Sequence, residues 1–203
     1  MSAASAPVSG RPGHYRRKSR RVSQDLFECI EANPFMAEDK VQFIFRQIAQ
    51  AVGYLHANNV VHRDIKDENI VIADDLTVRL VDFGTAAYIP TTRATYFDAF
   101  EGTLRYAAPE ILRNETYRGP EQDVWSLGVL LYTIAFSSPP FPDEEHVLSG
   151  RFARPRFRRS EGLMDLIEKM LVVDLGKRVT IEGVLKHPWV KGEGGLEAIP
   201  DET

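Results

Sequence analysis

The stretch His62-Arg63-Asp64-Ile65-Lys66-Asp67-Glu68-Asn69 decides how this chain is interpreted. It places acidic, basic and amide side chains within eight residues, between two short apolar runs. A loop of this kind carries the groups that a phosphoryl transfer requires. Asp64 can accept a hydroxyl proton, Lys66 can neutralise phosphate charge and Asn69 can hold a metal ion. The pattern therefore predicts a catalytic loop flanked by strands.

Two further motifs, Asp82-Phe83-Gly84 and Ala108-Pro109-Glu110, follow the loop. Three motifs in this order and at this spacing resemble the large C-terminal lobe of the protein kinase family. The resemblance covers about residues 25–190 and implies a mainly α-helical fold, in which a small β element carries the catalytic loop. It is closest to the PAS-domain-regulated kinases of the calmodulin-dependent-kinase-like group, on three stretches: His62–Ile72, Asp82–Tyr88 and Tyr117–Glu121.

The resemblance assigns roles to single residues of the loop. Asp64 matches the residue that orients the substrate hydroxyl and accepts its proton, and Lys66 matches a lysine that contacts the transferring phosphate. Asn69 and Asp82 match the ligands of the Mg²⁺ ions that bridge the phosphates of ATP, and an amide and a carboxylate supply the hard oxygen ligands that Mg²⁺ requires. ATP and Mg²⁺ are therefore the expected cofactors, and the expected nucleotide site comprises Lys66, Glu68, Asn69 and Asp82.

The acceptor class follows from two positions. Lys66, two residues after Asp64, is the pattern of Ser/Thr kinases, and Thr103 matches the threonine that steadies the catalytic aspartate in them. Protein substrates with Ser or Thr acceptors are therefore expected. Asp25 and Glu68 match acidic positions that favour basic residues upstream of the acceptor.

Arg63, directly before Asp64, indicates how the kinase activity could be regulated. Kinases with an arginine here commonly need a phosphorylated activation loop, because the phosphate pairs with the guanidinium group. The alternative, that the loop needs no phosphate, stays open at this point. Four residues of the loop are candidate phosphorylation sites, of which the last two lie nearer the substrate-binding end: Thr91, Thr92, Thr95 and Tyr96.

Three other residues are expected to support the fold. Glu110 and Arg178 match a buried ion pair that ties the activation segment to the lobe. Asp123 lies at the start of an apolar helical stretch, where the positive end of the helix dipole stabilises a carboxylate. The resemblance instead implies that Asp123 accepts hydrogen bonds from the backbone of the catalytic loop.

Hydrophobic periodicity and turn residues outline the secondary structure. The single cysteine, Cys29, is expected to be buried on the first helix. The segment 83–109 shows no clear periodicity, and loops of this length are often functional. Helices are predicted over residues 25–31, 40–58, 123–136, 163–173 and 180–190, and strands over 60–61, 70–72 and 78–81.

The amino-acid composition limits the cellular locations and the classes of partner that we expect. The 203 residues are 43% hydrophobic and 27% charged with a net charge of −4, so nucleic acid and membranes are not expected partners. One cysteine excludes an intrachain disulfide. We expect a cytoplasmic, or else nuclear, protein in which residues 1–24 form a disordered basic tail, 25–190 the kinase C-lobe and 191–203 a flexible tail.

The sequence departs from the family in one respect. The small N-terminal lobe supplies a Gly-rich loop over the phosphates and a strand lysine paired with a helix glutamate. Gly10 and Gly13 lie in a basic, Pro-containing stretch without a strand pattern, and none of the lysines before Asp82 fits the strand lysine. We therefore expect these residues alone to bind Mg-ATP weakly.

Three explanations of this departure remain open. The chain is a fragment or truncated form of a full Ser/Thr kinase; or it is a catalytically inactive kinase-like binding module that competes for substrates or partners; or a separate N-lobe chain completes the enzyme. An in-frame Gly-rich loop upstream would distinguish the first from the others. A copurifying partner would distinguish the third from the second.

Overall fold

Helix α4 (Pro120–Phe136) lies at the centre of the computed structural model, which describes residues 23–92, 95–153, 155 and 157–193. Of its 17 residues, 14 are buried, as expected for a helix that is apolar on every side. The helix begins three residues before the predicted start, at Pro120. Proline fits the first turn because the N–H that it lacks has no partner inside the helix there.

Helix α2 (Glu38–Ala57) packs against α4 along its predicted apolar stripe. Val41, Ile44 and Ile48 of this stripe are fully buried. The helix begins at Glu38, two residues earlier than predicted, because Glu38 and Asp39 stabilise the positive end of the helix dipole from inside the first turn. The periodic pattern therefore placed this helix correctly and missed only its first turn.

Two small antiparallel sheets hold the loop at residues 62–69. Strand β2 (Val60–Val61) pairs with β5 (Ala87–Tyr88) just before the loop. After the loop, β3 (Ile70–Ala73) forms the middle of a three-stranded sheet between β1 (Ser23–Asp25) and β4 (Val78–Leu80). The predicted strands are confirmed, whereas β1 and β5 are too short to give a periodic signal.

The first helix, α1 (Leu26–Ala32), follows directly from β1. Asp25 caps it by accepting a hydrogen bond from the Glu28 N–H at 2.8 Å. Cys29 is buried on this helix, as predicted. Ser23 and Gln24 belong to β1 although they lie within the predicted tail; the rest of that prediction, residues 1–22, falls outside the described residues, as do residues 194–203 of the predicted C-terminal tail.

The remaining helices complete the base of the lobe: α3 (Pro109–Leu112), α5 (Glu144–Ser149), α6 (Glu161–Met170), α7 (Ile181–Lys186) and α8 (Pro188–Lys191). The prediction of one helix over 180–190 is wrong, because Pro188 has no N–H to continue α7. The predicted helix at 163–173 ends three residues early, at Met170. Helices α3 and α5 were not predicted.

The segment 83–109 also contains more structure than its sequence indicates. Besides β5, it contains one turn of 3-10 helix, formed by Leu104–Tyr106. Outside this segment, a similar turn at Asp67–Asn69 lies within the catalytic loop. Within the described ranges, no helix is both long enough and apolar enough to cross a membrane.

Candidate active site

The backbone of the loop at residues 62–69 is fixed by Asp123 of helix α4. The Asp123 carboxylate is fully buried and accepts hydrogen bonds from the N–H groups of His62 at 2.9 Å and Arg63 at 2.8 Å. His56 of α2 approaches the same carboxylate through Nε2 at 2.8 Å. The predicted contact with the catalytic loop is therefore confirmed, although Asp123 lies inside the first turn of α4 rather than at its start.

Four hydrogen bonds hold the carboxylate of Asp64. Its Oδ1 accepts from the Thr103 N–H at 2.9 Å and from the Thr103 hydroxyl at 2.7 Å. Its Oδ2 lies 2.9 Å from Lys66 Nζ and accepts from Asn69 Nδ2 at 3.0 Å. Lys66 Nζ also donates to Thr103 Oγ1 at 2.8 Å. The structure thus brings together four of the predicted site residues around one partly exposed carboxylate.

These contacts keep Asp64 and Lys66 in their charged forms. Partial burial acts to raise the pKa of Asp64, but hydrogen bonds from Lys66 and Thr103 and the charge of Lys66 outweigh it, so the pKa lies below its ordinary value. Burial acts to lower the pKa of Lys66, and the nearby carboxylates, Asp64 foremost, raise it overall. At neutral pH the site therefore presents a carboxylate and an ammonium group side by side.

Asn69 and Asp82 each carry a side-chain oxygen of the kind that binds Mg²⁺. The Asn69 amide donates to the Asp64 carbonyl at 2.8 Å and to its side chain, which turns the amide oxygen the other way. The Val81 N–H binds the Asn69 carbonyl at 3.0 Å, so the chain leading to Asp82 is fixed to Asn69. Asp82 is exposed and has a φ of +60°, a backbone conformation that aspartate tolerates.

An amide oxygen and a carboxylate are a suitable ligand set for Mg²⁺, which keeps its other positions for water and nucleotide phosphates. No group of three or more His, Cys, Asp or Glu side chains is arranged to hold a metal within residues 23–92, 95–153, 155 and 157–193. A magnesium ion that shares its ligands with a nucleotide does not need such a group. The residues present therefore fit Mg²⁺ bound together with ATP.

His62 connects the catalytic loop to the motif around Asp82, a role that the sequence interpretation missed. Its Nε2 lies 3.1 Å from the Val81 carbonyl, and its ring meets the ring of Phe83 edge-on at 5.1 Å. The Thr85 hydroxyl donates to the His62 carbonyl at 2.9 Å. The position of His62 directly before Arg63 in the motif was the signal from which this role could have been predicted.

Asp67 is a second residue that the sequence interpretation did not single out. It is buried, and its Oδ1 accepts from the Tyr106 hydroxyl at 2.9 Å, which links the catalytic loop to the 3-10 turn after Thr103. Burial, the charge of Asp67 and this hydrogen bond raise the pKa of Tyr106. Glu68 is exposed, but partial desolvation of its carboxylate and the neighbouring Asp67 raise its pKa.

A cavity of about 500 Å³ opens beside this turn. Its walls include the apolar side chains of Phe27 and Ile30 from α1, and its charged lining residues are Glu31, Asp67 and Arg105. The cavity adjoins the catalytic loop through Asp67.

The predicted ion pair between Glu110 and Arg178 is present. Arg178 Nη1 lies 2.7 Å from Glu110 Oε1, and Nη2 lies 2.9 Å from Oε2, so the pair is bidentate. Both side chains are buried, and the guanidinium group also stacks 5.0 Å from the centre of the Trp125 ring. The pair therefore fastens the end of the segment 83–109 to the base of the lobe.

The candidate phosphorylation sites lie away from the catalytic carboxylate. Thr95 is exposed, and its hydroxyl interacts with the carbonyl and the hydroxyl of Thr92 at 2.9 and 3.2 Å. Thr91 is also exposed, and Tyr96 is half-buried. The guanidinium group of Arg63 instead binds an acidic side chain of the chain itself, Glu101, at 2.8 Å.

Comparison with known proteins gives one family match that covers most of the chain. The model of the protein kinase domain matches residues 20–190. This range includes both small sheets, the helices α1–α7 and every site residue described above. It stops within α8, at Val190.

Curated relatives include three serine/threonine kinases. The chain is 47% identical over 166 residues to a PAS domain-containing serine/threonine-protein kinase of Mus musculus, a match that covers 82% of the chain and 12% of that protein. It is 44% identical to serine/threonine-protein kinase ppk6 of Schizosaccharomyces pombe, over 81% of the chain and 21% of that protein. It is 39% identical to serine/threonine-protein kinase PSK2 of Saccharomyces cerevisiae, over 91% of the chain and 16% of that protein. The chain thus matches between 12% and 21% of the length of these relatives.

Proposed function

Because this chain belongs to the protein kinase family, and to its serine/threonine-specific members, we propose that it supplies the catalytic loop, metal ligands and acceptor site for phosphoryl transfer from ATP to Ser or Thr of protein substrates. Among the explanations left open by the sequence, this proposal corresponds to the first, a fragment or truncated form of a full Ser/Thr kinase, and is shared by the third, in which a separate N-lobe chain completes the enzyme. ATP and Mg²⁺ are the cofactors proposed for it.

The observation that carries this proposal is the way in which Asp64 is held. Thr103 and Asn69 fix the carboxylate from opposite oxygens, and Lys66 lies 2.9 Å from Oδ2. A carboxylate so oriented can accept a hydrogen bond from a Ser or Thr hydroxyl and take its proton as the hydroxyl oxygen bonds to phosphorus. Partial exposure leaves this carboxylate accessible to a substrate hydroxyl, which supports the proposal.

The neighbouring residues provide the other requirements. When bound, ATP supplies the phosphoryl group and Mg²⁺ neutralises the charge on its phosphates. Asn69 and Asp82 would hold the metal through their side-chain oxygens. Lys66, kept charged by the surrounding carboxylates, would interact with the transferring phosphate.

The charge around the site favours substrates with basic residues upstream of the acceptor. Glu68 and Asp25 are both acidic, as the sequence indicates, and the cavity next to Asp67 adds Glu31. Partial desolvation, followed by the hydrogen bond and charge of the neighbouring Asp67, raises the pKa of Glu68, and a cationic side chain placed beside these two carboxylates would reduce their repulsion. We propose that the partners include neither nucleic acid nor a membrane. We also propose that the protein is located in the cytoplasm or in the nucleus.

A specific surface supports the need for a second lobe or partner. Phe83 and Tyr88, which follow Asp82 along the chain, are 50% and 81% exposed. Exposed aromatic side chains that follow a candidate metal ligand along the chain are compatible with a surface that another part of a protein covers. The surface is equally compatible with the alternative function, a catalytically inactive module that binds partners, and experiment must distinguish the two.

The decisive experiment is a transfer assay with a matched control. The chain is purified alone and as a fusion with the small kinase lobe of the mouse relative, and transfer of ³²P from Mg-ATP to Ser peptides with or without upstream Arg is measured. We expect transfer by the fusion, a preference for the Arg-containing peptide, and loss of transfer in Asp64→Asn. Transfer by the fusion no greater than that of Asp64→Asn would favour the binding module.

A further inference from the structure

We propose that a groove between helix α1 and the turn joining β3 to β4 binds the basic segment that precedes β1, residues 1–22 of the same chain, with the ring of Tyr15 in its apolar part. The groove consists of two cavities, of about 420 and 190 Å³, which share three lining residues: Cys29 and Asn33 at α1, and Leu76 in the turn. The segment 1–22 lies outside the described residues, and the inference does not depend on the proposed function.

The larger cavity is mainly apolar. Besides Cys29 and Leu76, its walls include Pro34, Phe35 and Met36 from the link between α1 and α2. Phe35 is 80% exposed, whereas Cys29 is 6% exposed. An apolar side chain bound in this cavity would remove exposed apolar surface from water, which favours binding.

The turn between β3 and β4 holds Leu76 in an unusual backbone conformation. Its φ is +60°, in the left-handed region that glycine and asparagine adopt more easily than leucine. Its N–H donates to the Ala73 carbonyl at 2.8 Å, and its carbonyl accepts from Gln47 Nε2 at 2.9 Å, so the conformation is fixed on both sides. Because such conformations concentrate at binding sites and Leu76 lines both cavities, the turn is a second indication that the groove binds a ligand.

The charges at the two cavities are of opposite sign. Asp74 lines the smaller cavity, and Asp75 follows it in the exposed turn, where its Oδ1 accepts from the Thr77 N–H at 3.0 Å. Lys40 lines the larger cavity and disfavours a cation there. The charges therefore indicate an occupant with an apolar side chain in the larger cavity and basic residues beside Asp74 and Asp75.

Residues 1–22 have this order of side chains. They contain six Lys or Arg residues and no acidic residue. Tyr15 is their single aromatic residue, and it is followed by two basic runs, Arg16-Arg17-Lys18 and Arg20-Arg21. A ring next to a run of cations matches the apolar cavity next to the acidic turn.

The path of the chain brings this segment to the groove. Ser23, the first residue of β1, pairs with Ala73, which directly precedes Asp74, and Gln24 lines the smaller cavity. The eight residues from Tyr15 to Ser23 span up to about 26 Å when extended, which is enough for the chain to turn back to the groove. Because the segment is tethered beside the groove, its effective concentration there exceeds that of a separate partner.

The rate at which Cys29 is alkylated tests the proposal, because Cys29 is the only cysteine of the chain and lines both cavities. The full-length chain is treated with iodoacetamide, an uncharged reagent, at fixed pH and low ionic strength. Mass spectrometry follows the alkylation. An occupied groove protects the thiol, and an empty groove exposes it.

Two variants of the segment are compared with two matched controls. Tyr15→Ala removes the ring without changing any charge, and Arg20→Glu/Arg21→Glu reverses the charge of one basic run. Tyr54→Ala, the first control, removes a 71% exposed ring on α2. Lys186→Glu, the second, reverses an exposed charge on α7.

We expect alkylation at least about fivefold faster in Tyr15→Ala and in Arg20→Glu/Arg21→Glu than in the wild type, because the groove is then open for more of the time. Both controls should match the wild type. A separately added peptide with the sequence of residues 11–22 should restore slow alkylation in Tyr15→Ala, and the same peptide with alanine in place of Tyr15 should not.

An exchange of charges tests the acidic end of the groove. Asp74→Arg alone should be alkylated faster than the wild type, because it repels the basic runs. Combined with Arg20→Glu/Arg21→Glu, it should be alkylated more slowly than either variant, because opposite charges face each other again. A purely local effect of Asp74 on the thiol would not show this restoration.

Equal alkylation rates in Tyr15→Ala and Tyr54→Ala would overturn the inference. A wild-type rate that falls as the protein concentration rises would also overturn it, because a second copy would then fill the groove. Urea denaturation checks that the variants keep the fold of the wild type. Failure of the residue 11–22 peptide to slow alkylation in Tyr15→Ala would contradict the proposal whatever the stability of the variant, and the transfer assay plays no part in any of these outcomes.

Discussion

At the scale of single residues, the carboxylate of Asp64 shows how hydrogen bonds prepare a group for proton transfer. Burial alone would favour its protonated form. Thr103 and Lys66 reverse that tendency and hold the pKa below its ordinary value. The orientation and the charge of Asp64 therefore have the same origin, and both can be tested through Thr103.

Replacing Thr103 by valine should raise the pKa of Asp64. The change keeps the β-branched shape and the backbone N–H but removes the hydroxyl that donates to Oδ1 at 2.7 Å. Carbon-13 NMR titration of the Asp64 carboxyl group measures the shift, with Thr77→Val, at an exposed position in the turn before β4, as the control. An unchanged pKa in Thr103→Val would show that the hydroxyl has no influence on the charge.

The pH dependence that follows has a defined sign. A carboxyl group with a depressed pKa in the folded state contributes stability that is present above its unfolded pKa and is lost as the pH falls through the folded value. Because Asp64 must be deprotonated to accept the hydroxyl proton, the acidic limb of the pH–activity profile of the fusion should lie below the usual range of aspartate. This limb should move to higher pH in Thr103→Val. A downward movement of that limb would contradict the assignment of Asp64 as the proton acceptor.

Asp82 is the residue at which the metal prediction is tested. We expect Asp82→Asn to weaken binding of Mn²⁺, used as a paramagnetic substitute for Mg²⁺, by at least about tenfold in the presence of ATP, because an amide is a poorer ligand than a carboxylate. The fold should not change, since asparagine tolerates the φ of +60° at this position. Proton relaxation of the fusion protein measures the binding, and Asp74→Asn, at another exposed aspartate, is the control.

At the scale of secondary-structure elements, the segment 83–109 is positioned by close contacts with the catalytic loop rather than by regular structure. Gly102→Ala should push the segment 83–109 away from the catalytic loop. The added methyl group would lie 2.4 Å from the Arg63 carbonyl oxygen, and a backbone oxygen cannot move aside. We expect faster hydrogen exchange around Thr103 and loss of transfer by the fusion. Gly176→Ala, whose nearest contact would be 3.4 Å, should behave like the wild type.

The elements also show what the sequence was able to predict. Helices α2 and α4 were placed within three residues of their true starts, because an apolar stripe and an all-apolar run are properties of consecutive residues. The single helix predicted at 180–190 was wrong because periodicity continues through Pro188, whereas backbone hydrogen bonding does not. Strands β1 and β5 exist through pairing with distant strands, which no local pattern reports.

The same distinction applies to the candidate site. Asp64, Asn69 and Thr103 carry motif signals, and the structure brings them together around one carboxylate. The contacts of Arg63 with Glu101 and of Asp67 with Tyr106 join parts of the chain that are 38 and 39 residues apart. Such pairs arise from the folded path of the segment, so no local pattern in the sequence distinguishes Glu101 or Asp67 from the other acidic residues.

At the scale of the whole molecule, the Glu110–Arg178 pair connects the segment 83–109 to the helices at the base. Glu110→Gln should lower the free energy of unfolding by about 3–5 kcal/mol, because it leaves the buried Arg178 charge without its partner. Urea denaturation measures the change. Lys177→Ala, which breaks an exposed pair with Asp174, should have a much smaller effect, because solvent screens the pair.

An equal, small effect of both variants would contradict the burial of the Glu110–Arg178 pair. The double variant Glu110→Leu/Arg178→Leu should be more stable than Glu110→Gln, since removing both charges leaves no unpaired charge in the interior. The double variant also loses the contact of Arg178 with Trp125, at 5.0 Å, so a higher stability than that of Glu110→Gln would assign the cost of Glu110→Gln to the unpaired charge.

The nucleotide site brings the three scales together. Asn69 and Asp82 supply metal ligands from one side, and the exposed rings of Phe83 and Tyr88 leave the surface beside them without a covering element among the described residues. We expect the chain alone to bind Mg-ATP more weakly than micromolar, and the fusion with a small kinase lobe to bind at least about tenfold more tightly, a gain of roughly 1.4 kcal/mol. Calorimetric titration measures both constants. Micromolar binding by the chain alone would show that the C-lobe residues suffice, and the second lobe would then be needed for transfer rather than for binding.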